Sequence, residues 1–207
     1  MSDCNTYHEV IQNMEHEIHN SPYRHIHLHF EPSLGLYNFP LEHLTKSKRD
    51  SGSDKTYSVN IFEAYKNGVW NLKALPTAWK NAMYQLADPS NVYRISHDLA
   101  IDPDAIHELE VRIASYGAGD WMSRHTDGAD KLFSAIYYFS QDWKPSWGGD
   151  IRLYKSQDII QASCQVFPNI GTGVAFARSD ASWHEVMPVT QCADRTRDTI
   201  LIHAYKK

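Results

Sequence analysis

The run SYGAGDWMSRHTDG, Ser115–Gly128, carries an imidazole at His125 and a carboxylate at Asp127, two residues apart. On an extended strand, residues two apart point to the same face, so these two groups converge on one point. Far downstream WHEV, Trp183–Val186, offers a second imidazole at His184. Two histidines and one carboxylate on one face of a metal leave the opposite positions open, the arrangement that suits a non-haem Fe(II) centre. By itself His-x-Asp is a weak signal, and Thr126-Asp127-Gly128 also reads as ordinary turn chemistry.

Around this run the chain reads as strand. Leu109–Tyr116, Leu132–Phe139, Asp150–Tyr154, Thr172–Ala177 and Thr199–Tyr205 alternate in polarity, with turns at Gly148-Gly149 and Gly171-Thr172-Gly173. Short strands at such spacing build a sandwich or barrel. Upstream, Val10, Ile11, Met14 and Ile18 lie at helical spacing and predict a short amphipathic helix over His8–His19. A second helix opens at Leu75-Pro76-Thr77 and buries Trp79, Ala82, Met83 and Leu86; a third covers Ser90–Leu99. The expected architecture is mainly β: a double-stranded β-helix (jelly-roll) core over residues 107–207. Helices and strands of residues 1–106 supply the N-terminal helices, packed on one sheet, in a single domain of 1–207.

Two other stretches stand out. Arg24–Phe30, RHIHLHF, alternates strictly, with Ile26, Leu28 and Phe30 inward and His25, His27 and His29 outward. Three histidines on one face look like a metal site, but no carboxylate or cysteine joins them, and a solvated strand face is the better reading. Leu44–Lys55, LTKSKRDSGSDK, reads as a polar loop.

The composition sets bounds. With 207 residues, 42% of them hydrophobic and 12% aromatic, the chain is long enough for a core without staples. A net charge of −5 lacks the basic footprint of a nucleic-acid binder. Three scattered cysteines, Cys4, Cys164 and Cys192, form no disulfide framework. Neither a signal pattern nor a membrane-length apolar run is present, and a reduced, cytoplasmic protein is expected.

Four stretches, in order, carry a family resemblance: ASYGAGDWMSRHTDG, AIYYFSQDWKPSWGGDIRLY, GVAFARSDASWHEVMPV and RTRDTILIHAY. From Glu110 to Tyr205 the chain resembles the prolyl-4-hydroxylase-type 2-oxoglutarate/Fe(II) dioxygenases, and within them it is similar to the hypoxia-sensing prolyl hydroxylases. The resemblance implies that His125, Asp127 and His184 bind iron. It further implies that Tyr138 donates its hydroxyl to the distal carboxylate of 2-oxoglutarate and that Tyr116 lines the pocket. An arginine suits that carboxylate because its guanidinium grips it with two parallel hydrogen bonds. Both Arg195 and Arg197 precede the last strand; the family places the basic residue directly before it, which favours Arg197, with Thr199 on the same face. Related halogenases lack the carboxylate, so Asp127 implies oxygen transfer.

The expected cofactors are Fe(II), 2-oxoglutarate as cosubstrate and O2, with ascorbate as a candidate reductant. The expected reaction hydroxylates an unactivated C–H bond of an amino acid, peptide or small natural product, releasing succinate and CO2. The same triad would serve a desaturase or a cyclising oxidase, and a non-catalytic metal- and ligand-binding jelly-roll acting as sensor or store is the rival class. Trp121, Trp147 and Arg178 flank the expected mouth. Arg112 shares the Tyr116 face, where it would bind a substrate carboxylate or pair with an acid such as Asp150. His203 shares the Arg197 face, as part of the site or as a hydrogen-bonded core histidine.

Overall fold

The structure, a computed structural model, describes residues 8–49 and 55–207. Five strands come first: β1 (Ile11–His19), β2 (His25–Pro32), β3 (Thr45–Arg49), β4 (Tyr57–Lys66) and β5 (Val69–Trp70). Two helices follow, α1 (Thr77–Leu86) and α2 (Pro89–Asp98). The remainder is strand: β6 (Glu108–Tyr116), β7 (Trp121–His125), β8 (Lys131–Tyr138), β9 (Ile151–Tyr154), β10 (Cys164–Val166), β11 (Thr172–Ala177), β12 (Trp183–Val186) and β13 (Arg197–Tyr205).

These strands form one curled antiparallel sheet, in the order β1-β2-β11-β8-β13-β6-β4-β7-β12-β9-β10, with β3 and β5 also paired to β4. The chain is mainly β, consistent with a jelly-roll. Its middle strands are buried on both faces. Phe133, Ala135 and Tyr137 of β8 join Val111 and Ile113 of β6 and Ile200 and Ile202 of β13 in the large core, together with Trp79, Ala82, Met83 and Leu86 of α1. The alternate residues Ser134, Ile136 and Tyr138 turn to the concave side. That alternation is what lets one strand serve core and cavity at once.

The first expected helix is a strand. β1 pairs antiparallel with β2, from Ile11 opposite Pro32 to His19 opposite His25, with a register shift between Gln12 and Glu15. Asn13 sits there at φ 48°. A bulge inserts one residue and resets which face the following side chains take. Ile11 and Met14 therefore reach the same core at a spacing of three, which imitates a helical turn. The polar loop is also corrected in part: Thr45–Arg49 is β3, antiparallel to β4 from Thr45 opposite Ile61 to Arg49 opposite Tyr57, while residues 50–54 lie outside the described residues. Its lysines and arginine suit an edge strand, which carries charge without breaking a core. No helix among the described residues is long and apolar enough to cross a membrane.

Candidate active site

β7 ends at His125, and Asp127, two residues on, brings its carboxylate beside the His125 ring. β12 lies antiparallel to β7 with His184 opposite His125. The three side chains are buried, and one ligand atom from each lies within 4.8 Å of the others. The two imidazole centroids stand 4.2 Å apart, and His125 Nε2 lies 3.9 Å from Asp127 Oδ1.

Each histidine is held by its other nitrogen. His125 Nδ1 donates to the Ser123 carbonyl at 2.8 Å, and His184 Nδ1 donates to the Ser182 carbonyl at 2.9 Å. Such a bond fixes the tautomer and aims the Nε2 lone pair away from it, the usual support of a metal-bound imidazole. His125 Nε2 is buried and has no hydrogen-bond partner. An orphaned acceptor of that kind costs free energy unless something occupies the site.

The charges match metal ligation. Burial, with His184 and Lys55 nearby, pushes His125 down to about 2, and burial lowers His184. Burial alone would raise the Asp127 carboxyl, but the Lys131 ammonium and the neighbouring His184, His203 and Lys55 hold it well below the carboxylate range. Neutral imidazoles beside an ionised carboxylate are the protonation states that bind a divalent cation. Asp127 is oriented by Lys131 Nζ at 2.9 Å from Oδ1 and by the Ser134 hydroxyl, which donates to Oδ2 at 2.7 Å. Ser134 is a residue that reading the sequence missed; its signal was one hydroxyl inside the apolar run LFSAIYY.

The same cavity holds Arg197, which is 1% exposed. Its Nε donates to the Gly149 carbonyl at 2.6 Å, and its Nη2 lies 3.4 Å from the Tyr138 hydroxyl. The guanidinium sits 4.7 Å from the Tyr116 ring centre and 5.0 Å from that of Tyr138. Gly149 adopts φ 68°, and a Cβ there would come within 3.0 Å of Trp143 and 3.4 Å of Arg197 Cδ, so the turn is shaped around this side chain. Among the described residues no carboxylate forms an ion pair with Arg197. Arg195 is elsewhere, half-exposed and paired with Asp142 at 3.1 Å.

The other expected residues divide. Thr199 is fully buried, but its hydroxyl donates to the Ala114 carbonyl at 2.9 Å, within the sheet. His203 lines the cavity and lies 2.8 Å from Ser134 Oγ. Arg112 lines it too, yet pairs with Glu110 at 2.6 Å and Glu63 at 3.4 Å, not with Asp150, which binds Arg152. Trp147 packs against Trp143, Trp121 lies opposite Ser58, and Arg178 pairs with Asp180 while its Nε donates to the Asp127 carbonyl.

A buried His-Asp-His cluster beside a buried guanidinium is an arrangement that suits a non-haem Fe(II) centre. Residues 111–203 match the 2OG-Fe(II) oxygenase superfamily. That stretch, somewhat under half of the chain, matches a 2OG-Fe(II) oxygenase domain, and the family it matches works with Fe(II), 2-oxoglutarate and O2. No curated protein is significantly similar to it in sequence. Among solved structures it is similar to a prolyl-4-hydroxylase from Pseudomonas putida (20% identity, TM-score 0.56), covering 80% of this chain and 78% of that one. A prolyl hydroxylase from Trichoplax adhaerens, in complex with a hypoxia inducible factor oxygen degradation domain peptide fragment, matches at 16% identity and TM-score 0.56, over 79% and 71%. A 2OG-Fe(II) oxygenase family oxidoreductase from Burkholderia pseudomallei matches at 18% and 0.53, over 80% and 75%. At these identities the likeness is one of fold.

Proposed function

We propose that the whole chain is one dioxygenase domain, braced on its sheet by α1 and α2, in which His125, Asp127 and His184 hold Fe(II). Arg197 receives the distal carboxylate of 2-oxoglutarate, assisted by the Tyr138 hydroxyl, while the Tyr116 ring backs the guanidinium. Thr199 serves by keeping β13 in register. The observation that carries this reading is a single cavity joining His125 Nε2, without a hydrogen-bond partner, to a buried arginine without an acid partner, in both cases among the described residues. A buried unpaired charge is costly, and an incoming carboxylate relieves it. Fe(II) with 2-oxoglutarate and O2 would supply the oxidising chemistry, one oxygen atom of O2 entering succinate and the other the hydroxylated substrate, with CO2 released.

The chain's own groups then have defined tasks. Ser134 and Lys131 keep Asp127 ionised and turned toward the two imidazoles. The apolar walls of Ile136, Ile151, Phe176, Val186 and Leu201 exclude water from part of the cavity. Lys55, Arg112 and Lys131 line the same cavity, with Arg112 paired to Glu110 and Glu63 and Lys131 paired to Asp127. The substrate is an amino acid, a peptide or a small natural product, and the peptide-bound Trichoplax neighbour supports the peptide. Cys164 and Cys192 are free, which fits a cytoplasmic setting.

The test is a panel of amino acids and peptides, scored for substrate-stimulated succinate formation with Fe(II) and 2-oxoglutarate under air. Turnover that vanishes in Asp127→Ala is expected. A loaded, folded protein that binds iron and 2-oxoglutarate tightly but releases no succinate on any substrate would favour the sensor or storage module.

A further inference from the structure

Of the β2 histidines, His29 is exposed as expected, but His25 is buried and His27 half-buried. Their side of the β1–β2 hairpin carries Glu17 and His19 as well, because the register sets His19 opposite His25 and Glu17 opposite His27. His25 is 1% exposed. The three rings converge, with centroids 5.0 Å apart for His19 and His25, 4.4 Å for His19 and His27, and 5.3 Å for His25 and His27. Cys164, arriving from β10, sets its Sγ 3.4 Å from His27 Nε2. One ligand atom each from His25, His27 and Cys164 lies within 4.8 Å of the others, and so does the set Glu17, His19 and His27.

Two details separate this cluster from a chance meeting of polar side chains. His25 Nδ1 donates to the Tyr23 carbonyl, two residues back, at 2.9 Å. That is the same lock that His125 and His184 use, and it turns the His25 Nε2 lone pair outward. His19 Nε2 is buried with no hydrogen-bond partner, although Glu17 Oε1 lies 3.4 Å away off the hydrogen-bonding line.

The place matters as much as the ligands. In the strand order, β1-β2 lies at one end of the sheet and β9-β10 at the other. No backbone ladder joins these ends; His27 and Cys164 meet across them. On β9, Leu153 lies opposite both Cys164 of β10 and His184 of β12. On the other side, His25 lies opposite Phe176, whose ring is 4.5 Å from that of His184.

We propose that His25, His27 and Cys164, completed by His19 or Glu17, form a second metal site that clasps the two ends of the sheet beside the wall carrying His184. A thiolate with imidazoles selects Zn(II) or a similarly soft cation, whereas the all-nitrogen-and-oxygen triad suits Fe(II). The two sites therefore sort different metals. The clasp holds strands; the triad serves the reaction.

Cobalt(II) titration of the metal-stripped full chain tests it, because a thiolate ligand gives an intense near-ultraviolet charge-transfer band that the thiolate-free triad cannot produce. The band should appear in the wild-type protein and in Asp127→Ala, disappear when Zn(II) is added, and be lost in Cys164→Ser and weakened in His27→Gln, with circular dichroism reporting that each variant is folded. Absence of the band in the wild-type protein overturns the site without recourse to any variant. Persistence in folded Cys164→Ser, with Cys4 or Cys192 as donor, overturns it equally. The readout is independent of turnover, so a protein that shows the band but makes no succinate would sink the proposed reaction and leave the clasp standing.

Discussion

Two clusters of imidazoles lie on either side of Phe176, and they are built alike. In both, a histidine bonds through Nδ1 to the carbonyl two residues before it, and in both a buried Nε2 is left without a partner. They differ in what joins the histidines. His125 has a carboxylate two residues away, whereas His25 and His27 have a thiol from 137 positions along the chain. A local motif and a tertiary one thus reach the same kind of geometry, and on the proposed reading the third ligand decides which cation each would take. A hard carboxylate leaves room for iron and oxygen chemistry; a soft thiolate favours a closed, structural ion.

The sharpest way to break the comparison is at the third ligand of the triad. Asp127→Ala should lower succinate formation below detection, a larger effect than the roughly 10–100-fold that loss of an outer-shell partner costs. Next is the anion site. Arg197→Ala removes one side of a buried charge pair, worth about 2–5 kcal/mol, so the KM for 2-oxoglutarate should rise by about thirtyfold or more. Arg195→Ala should leave that KM unchanged, since its partner is Asp142 on the surface; the reverse outcome would move the anion site to Arg195.

Ser134→Ala tests orientation rather than ligation. Removing the hydroxyl that donates to Asp127 should weaken iron affinity by about 10–100-fold, with kcat recovering at saturating Fe(II). A kcat that stays low at saturating iron would mean that Ser134 acts on something other than the carboxylate.

The smallest expected effect is one of pH on the metal-free protein. His125 titrates at about 2 when folded against 6.5 for the free side chain, so the unfolded chain binds more protons between those values. The stability from neutral, buried His125 is present above 6.5 and declines as pH falls below it, and His184 acts in the same direction. Asp127, held below 3.8, adds a loss of the same sign in stronger acid. Melting curves in chelator should show the midpoint falling from about pH 7 to pH 5. Added Fe(II) should raise the midpoint at every pH above that decline.

Much of this was legible in the chain because the signals are local. Alternation marked β6, β8, β11 and β13, since a strand buried on one or both faces repeats every two residues. His125-x-Asp127 was visible for the same reason, and Arg197 was separable from Arg195 only through the resemblance. β1 was misread because its bulge turns a strand pattern into a helical one over four residues. β3 was misread because an edge strand need not be apolar.

The sequence by itself determined which side chains can share a face, because that depends on backbone period alone. It settled the mainly β class and the local half of the triad. Only the tertiary structure decided what meets across the sheet: His184 against His125, Arg197 against Tyr138, Cys164 against His27. Those meetings depend on strand order and register, which no local period encodes, and so His25 and His27 read as a wet surface until β10 was folded against them.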